Sequence, residues 1–453
     1  MNEPTGAVLA QYPAAAELLR QHGGETLLSY LGQLRHRPLP DILPSEELLD
    51  EVREYFTPFF GAETAGECAD VLRRRRCLST ANHHHPAFEY MTVQDTILCD
   101  RWLRTQGETG AVVPFLSCAN PRLDNNVYPR GMLVYDYTAP GGCLRLPFYP
   151  FKLRHACVAA VEGISPDMVG SALSRLRQET RRGSCSLRTA DALERFCREV
   201  LLSDRVQRCG TLREQTTVIN AMLSQRYFTD RAPQYLWMPM ETLTARLLER
   251  DFRTKDALTC QMLFRQELRA SLLRELNGVS GCWTGDAGGT HFFWGLDRRT
   301  VLFPLRLRES AGTAALTGQN SLGEAVTVPL TPQALTEGLR DGSLLPGLFL
   351  CFLEAHFLRD FTVFGGFYQP TYLAEMRRGL VRALRETGDY KEEAAIIEAK
   401  RNEMTLGLIY LLRSRESGSF PVSTAELLEE PVSTPEVEAS LQISVAAALE
   451  HLN

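Results

Sequence analysis

Apolar residues recur at helical spacing through most of this 453-residue chain and switch to alternation in only two short regions, near 111–137 and 290–330. A pattern so dominated by the 3.6-residue period cannot be buried by a sheet protein. The expected class is therefore α+β, predominantly helical with a small mixed or antiparallel sheet.

Helices are expected at 8–20, 45–55, 64–76 and 87–105, at 152–162, 165–181, 189–202, 212–228 and 241–276, and at 346–361, 373–385, 391–413 and 435–451. Strands at 111–117 and 132–137 flank a polar loop. A hairpin is expected from 290–296 and 300–307 around Asp297-Arg298-Arg299, with 325–330 as a third strand. Thr331-Pro332 then supplies an N-cap and a proline at the first helical position.

The length exceeds the roughly 250–300 residues at which a single core stops growing. One large α+β domain is expected over 1–416, with a helical opening at 1–110, β-containing segments at 111–138 and 290–330, and a helical middle at 151–277. Residues 417–453 read as a Pro-, Ser- and Glu-containing linker, exposed to about 434, and a C-terminal docking helix.

Hydrophobic residues make up 44% and charged residues 23%, a globular balance that excludes global disorder. A net charge of -6 offers no overall attraction for nucleic acid or an anionic membrane, so neither is an expected partner. The most apolar stretch, 344–353, runs into Glu354, His356, Arg359 and Asp360. It falls well short of the roughly 20 residues a bilayer span needs and reads as a buried helix. Twelve cysteines without a CxxC pair fit reduced thiols, and the first 24 residues lack the features of an export signal, so the expected location is cytoplasmic. Among the 49 basic residues only Lys152, Lys255, Lys391 and Lys400 are lysines. The abundant guanidinium groups suit carboxylate or phosphate recognition.

Four clusters can carry chemistry. The first is Ser79-Thr80-Ala81-Asn82-His83-His84-His85-Pro86, which places three of nine histidines side by side ahead of a helix that carries Glu89, Gln94 and Asp95. Imidazole is both a common metal ligand and the side chain that titrates near neutrality. A histidine N-cap with surface neighbours is the alternative. The spacing is not HExxH. It also departs from the HHxxxD arrangement of thioester-dependent acyltransferases, since Glu89 stands at the acid position and no glycine follows.

The second cluster is the loop 117–131, where Asn125 and Asn126 can donate and accept hydrogen bonds and Arg122 and Arg130 can clamp an anion. Cys118 is a nucleophile only if a neighbour lowers its pKa. The third is the Gly-rich turn 285–289 feeding an aromatic strand that carries His291; it matches neither GxxxxGK[ST] nor a GxGxxG that opens a helix. The fourth is His356 and Asp360, four apart on one face of the expected helix, with Glu354 near Arg359 only if that helix is distorted, and Gly365 to Gln369 beyond it. The arginine run 73–76 reads as a solvated face, with an anion site beside His83 as the alternative.

Together these features point to an enzyme acting on a small polar, anionic metabolite through a histidine and carboxylate centre. His84, His85, Glu89, Asp95 and His291 are the candidate catalytic residues, and Arg122, Asn125, Asn126, Arg130 and Gln369 the candidate substrate anchors. His83, His85 and His291 are candidate ligands for a divalent metal such as zinc, iron or manganese. A metal-independent acyl or amide transferase using His84, His85 or Cys118, and a ligand- or partner-binding protein without turnover, are the alternatives.

Overall fold

The computed structural model describes residues 13–80, 86–125, 130–139, 142–285, 288–310, 312–366, 368–400, 405–415 and 418–450. With 51% helix and 18% strand, the fold is predominantly helical α+β.

Its centre is a four-stranded sheet of β1 (Cys77–Ser79), β2 (Val112–Ser117), β3 (Gln234–Pro239) and β4 (Thr362–Phe364), in the order β4-β1-β2-β3. All three pairings are parallel, registering Cys77 with Thr362, Ser79 with Phe115, and Val112 with Gln234. Alternation sends the side chains to two separate cores: Cys77, Val113, Phe115, Tyr235, Trp237 and Phe364 to one, Leu78, Val112, Leu116, Leu236, Met238 and Val363 to the other. A parallel sheet buried on both faces needs helices on both. On the first face lie α2 (Tyr90–Thr105), through Val93, Ile97 and Trp102, and α3 (Leu212–Ser224), through Val218, Ile219 and Leu223. The second face is covered by α1 (Ser45–Arg75), through Leu49, Val52 and Phe56, and α4 (Met240–Asp251), through Leu243 and Leu247.

The remaining strands are antiparallel. Gly131–Tyr135 pairs with Cys143–Pro147, and Phe293–Leu296 pairs with Leu302–Pro304 around the expected tight connection. Ala325–Pro329 closes a three-stranded meander, and Thr331 caps the helix Pro332–Arg340 by accepting from the Ala334 N–H. The parallel central sheet is the feature that the two alternating regions do not announce.

Four local expectations are corrected. Residues 152–162 form no helix beyond the single 3-10 turn Phe151–Leu153. Residues 346–361 do not form one helix: Leu344–Pro346 is a strand, Leu348–Phe352 is α-helical and Leu353–Leu358 is a π-turn, after which Asp360 adopts φ 56°. The helix begun at Lys391 stops at Ala399, where Lys400 turns extended and sends its ammonium to Asp360. The segment after Gly418 is not an exposed linker. Val422, Ala425 and Leu427 join Val437, Val445 and Leu449 in the first core, because the face of α2 would otherwise remain wet. Among the described residues no helix is long and apolar enough to cross a membrane.

Candidate functional site

The first three strands run from their own helical layers to the same edge, and β4 returns beside β1. Strand order therefore reverses between β1 and β4, which in open parallel sheets is where loops at the carboxyl ends diverge and leave a crevice. The chain leaves this edge four times: after Ser79, where the histidine run follows in sequence; through Cys118 to Asn120 after β2; directly into α4 at Met240 and Glu241 after β3; and through Gly365 and Gly366 after β4, ahead of the helix Tyr368–Thr387 that carries Gln369. Sequence segments nearly 300 positions apart thus become neighbours.

Thr80 marks the reversal. Its N–H donates to the Phe364 carbonyl at 2.6 Å, and its Oγ1 donates to Oε1 of Gln369 at 2.6 Å. Residues 81–85, including His83, His84 and His85, lie outside the described residues, as does Asn126. The far flank of the histidine run is held as firmly as the near one: the Ala87 N–H donates to Oδ1 of Asn220 at 2.9 Å, and the Ala87 carbonyl accepts from Tyr227 and Thr424.

Glu89 caps the N-terminus of α2, accepting from the Thr92 N–H at 3.1 Å, and Asp95 lies further along the same helix. Both are buried. Burial pushes both carboxyl groups up from the ordinary carboxylate range, and the charge of Glu89 pushes Asp95 further. Three buried polar side chains, on α2, on α3 and after β4, each keep an atom without a hydrogen-bond partner among the described residues: Oδ1 of Asp95, Nδ2 of Asn220 and Nε2 of Gln369. Buried groups of this kind are uncommon in folded proteins and concentrate where function overrides stability.

Glu241 organises the loop after β2. Its buried carboxylate accepts from the Ala119 N–H at 2.8 Å and the Asn120 N–H at 3.2 Å, and desolvation pushes its pKa up to about 7. Cys118 is half-buried with its thiol 3.8 Å from Sδ of Met240. Desolvation and then the Glu241 charge push that thiol well above its ordinary value, the opposite of what activates a nucleophile. Asn120 opens onto a cavity of about 360 Å³ whose lining includes Gly288 and Gly289 of the Gly-rich turn together with Gly281 and Gly347. Gly289 has φ 68°, and a Cβ there would lie 2.0 Å from the Cys282 carbonyl, so only glycine fits.

A larger cleft, about 510 Å³, opens beside β3 between α1, α3 and α4, lined by Arg205, Arg208, Arg213, Arg246, Tyr55 and Glu54 among others. Arg213 also lines a small gap formed with Ala119, Met238 and Pro239 at the carboxyl ends of β2 and β3. Its guanidinium has no ion-pair partner among the described residues, and the Arg246 and Arg208 contacts to Glu51 and Asp204 are long, at 3.5 and 4.0 Å. Of the cleft's acids, Glu214 is consumed in the capping box of α3 and Glu54 faces Arg250 at 3.8 Å. The cleft thus gathers four guanidinium groups, Arg205, Arg208, Arg213 and Arg246, against the two acids Glu54 and Glu214. No local pattern in the sequence marks these arginines, because they come from separate helices.

Of the anchors read from the sequence, Arg122, Asn125 and Arg130 are instead engaged by neighbouring groups of the protein. Arg122 forms a two-pronged pair with Asp124, Asn125 donates to the Arg122 carbonyl at 2.7 Å, and Arg130 donates to the Tyr149 carbonyl and stacks over Phe151. His291 accepts from the Leu307 N–H through Nδ1 at 3.0 Å and packs edge-on to Trp283. Among the described residues no group of three His, Cys, Asp or Glu side chains could hold a metal ion. The arginine run is a set of local pairs, Arg73 with Glu46, Arg74 and Arg75 with Glu108, and Arg76 with Asp41.

Comparison with protein-family models, with characterised proteins and with solved structures finds no match to this chain.

Proposed function

We propose that this protein is an enzyme acting on a small, polar, anionic metabolite bound at the carboxyl edge of β1 to β4. The observation that carries the reading is convergence: the histidine run, the Cys118 to Asn120 loop and the Gly365 to Gln369 turn leave the ends of three adjacent parallel strands, at and beside the reversal of strand order. Arg213 and its neighbours take the anionic group. His84 and His85 supply the base, and Glu89 and Asp95, buried on the helix that follows them in sequence, supply acids. Gln369, fixed through Oε1 by Thr80, offers its amide N–H to the substrate. Arg122 and Arg130 serve the loop that frames the site.

A divalent metal at this centre would draw its ligands from the histidine run. Elemental analysis of protein purified without a histidine tag tests this: zinc, iron or manganese near one equivalent, lost in His83→Ala and His85→Ala, supports it, and metal-free protein after reconstitution removes it. The enzyme reading is tested by a screen of anionic metabolites for ligands that raise the melting temperature, followed by assay of turnover. A hit whose turnover disappears in His84→Ala or His85→Ala, and whose affinity falls in Arg213→Ala, supports the proposal. Binding that requires Arg213 while both histidine variants behave as wild type would favour anion binding without chemistry, a reading to which the arginine cleft also lends itself because no histidine lines it.

A further inference from the structure

The opposite, amino end of β4 closes over a separate cavity of about 430 Å³, whose lining includes Arg35, Arg37, His356, Asp360, Lys400 and Thr362. Charge, donor count and an unused acceptor there all point to a ligand.

Asp360 is saturated. It accepts from the Leu39 N–H at 3.0 Å, lies 3.1 Å from Nε2 of His36, and pairs with Nζ of Lys400, and these contacts hold it at a φ that side chains other than glycine seldom adopt. Lys400 is 2% exposed in its side chain, yet an ammonium carries three N–H donors and Asp360 takes one. Arg35 and Arg37 stand exposed at the cavity with no carboxylate partner among the described residues, whereas Arg73 to Arg76 are each paired. The lining thus holds three cations, Arg35, Arg37 and Lys400, against the single carboxylate of Asp360.

His356 adds the directional element. It is 3% exposed, and its Nδ1 lies 2.7 Å from the Phe361 carbonyl. A carbonyl only accepts, so Nδ1 carries the proton and Nε2 keeps a lone pair that is buried in the cavity wall and has no partner among the described residues. Burial, reinforced by the charge of Lys400, pushes the imidazole pKa down to about 3, so this acceptor persists across the physiological range.

We propose that this cavity is a second ligand site, distinct from the carboxyl edge, that takes a small dianionic oxyanion carrying a hydroxyl group. Arg35 and Arg37 hold the oxyanion, Lys400 adds charge from the buried wall, and Nε2 of His356 accepts the hydroxyl proton. A hydroxy dicarboxylate and a polyol phosphate share this chemistry.

Calorimetric titration of the full chain with malate, succinate, glycerol 3-phosphate and inorganic phosphate tests the assignment and separates the two sources. The expected result is binding of malate or glycerol 3-phosphate at one equivalent, tighter than the partner probe that lacks the hydroxyl. The Arg35→Ala/Arg37→Ala double variant, which alters only exposed side chains, should weaken it at least about tenfold, and Arg213→Ala should leave it unchanged. In His356→Phe, shown by its circular dichroism to be folded, or in the milder His356→Gln if it is not, the preference for the hydroxylated probe should narrow or vanish. Absence of binding by all four probes at millimolar concentration, equal affinity in the double variant, or equal affinity for malate and succinate together with glycerol 3-phosphate and phosphate in the wild type would each overturn the proposal.

Discussion

Thr80 and Gln369, 289 positions apart, share a buried hydrogen bond of 2.6 Å across the point where β4 turns the strand order back past β1. With the Thr80 N–H donating to the Phe364 carbonyl, this contact ties the chain after β1 to the chain after β4, and it leaves the amide nitrogen of Gln369 unspent.

Thr80→Val removes the hydroxyl while keeping the shape of the side chain. It strands a buried carbonyl oxygen on Gln369, which costs about 1–3 kcal/mol. Urea denaturation should report that loss, with Thr80→Ser restoring most of it. A Thr80→Val protein as stable as wild type would mean that the two loops are held by other contacts.

Glu241 predicts a pH dependence whose direction is unusual for a carboxylate. Its pKa rises from an ordinary 4.5 to about 7 on folding, desolvation outweighing its two backbone donors. Between those values the folded chain retains a proton that the unfolded chain has released. Its contribution therefore favours folding at low pH and is lost as the pH rises from about 4.5 to 7, with a slope of at most about 1.4 kcal/mol per pH unit. Subtracting the stability profile of Glu241→Gln from that of wild type should isolate this slope. A difference that is flat across the window, or that rises with pH, would contradict it.

Arg359 is fully buried and bonds to Glu354 and to Asp251, the latter at 2.7 Å. The π-turn brings Glu354 to it, the distortion on which that contact depended in the sequence. Arg359→Met leaves two carboxyl groups buried without their cation, a loss of about 3–5 kcal/mol. Chemical denaturation measures it directly. A loss under about 1 kcal/mol would show that the acids are satisfied elsewhere.

Elements with a local signature were legible in the sequence: the Thr331 cap, the turn at Asp297, the strand at 112–117 and most helices. The central sheet was not. β1 and β4 are three residues each, too short to display a period, and β3 sits between two stretches read as helix. Their pairing joins Cys77 to Thr362, which no local window spans. Consequently the four polar clusters could be named while their grouping could not, and Arg213, which lines both the cleft and the gap at the strand ends, carries no local mark on the expected helix 212–228. His356 and Asp360 were seen as a pair, but the helix ends between them. His356 turns to the Phe361 carbonyl, and Asp360 to His36 and Lys400.

The central claim is that the carboxyl edge of the parallel sheet binds and transforms an anionic metabolite. The most direct measurement is the affinity and turnover of one screened anionic ligand in wild type, Arg213→Ala and His85→Ala proteins side by side. Weakened binding, at least about tenfold, is expected in Arg213→Ala, and retained binding with lost turnover in His85→Ala. A ligand bound and turned over equally well by all three would contradict it.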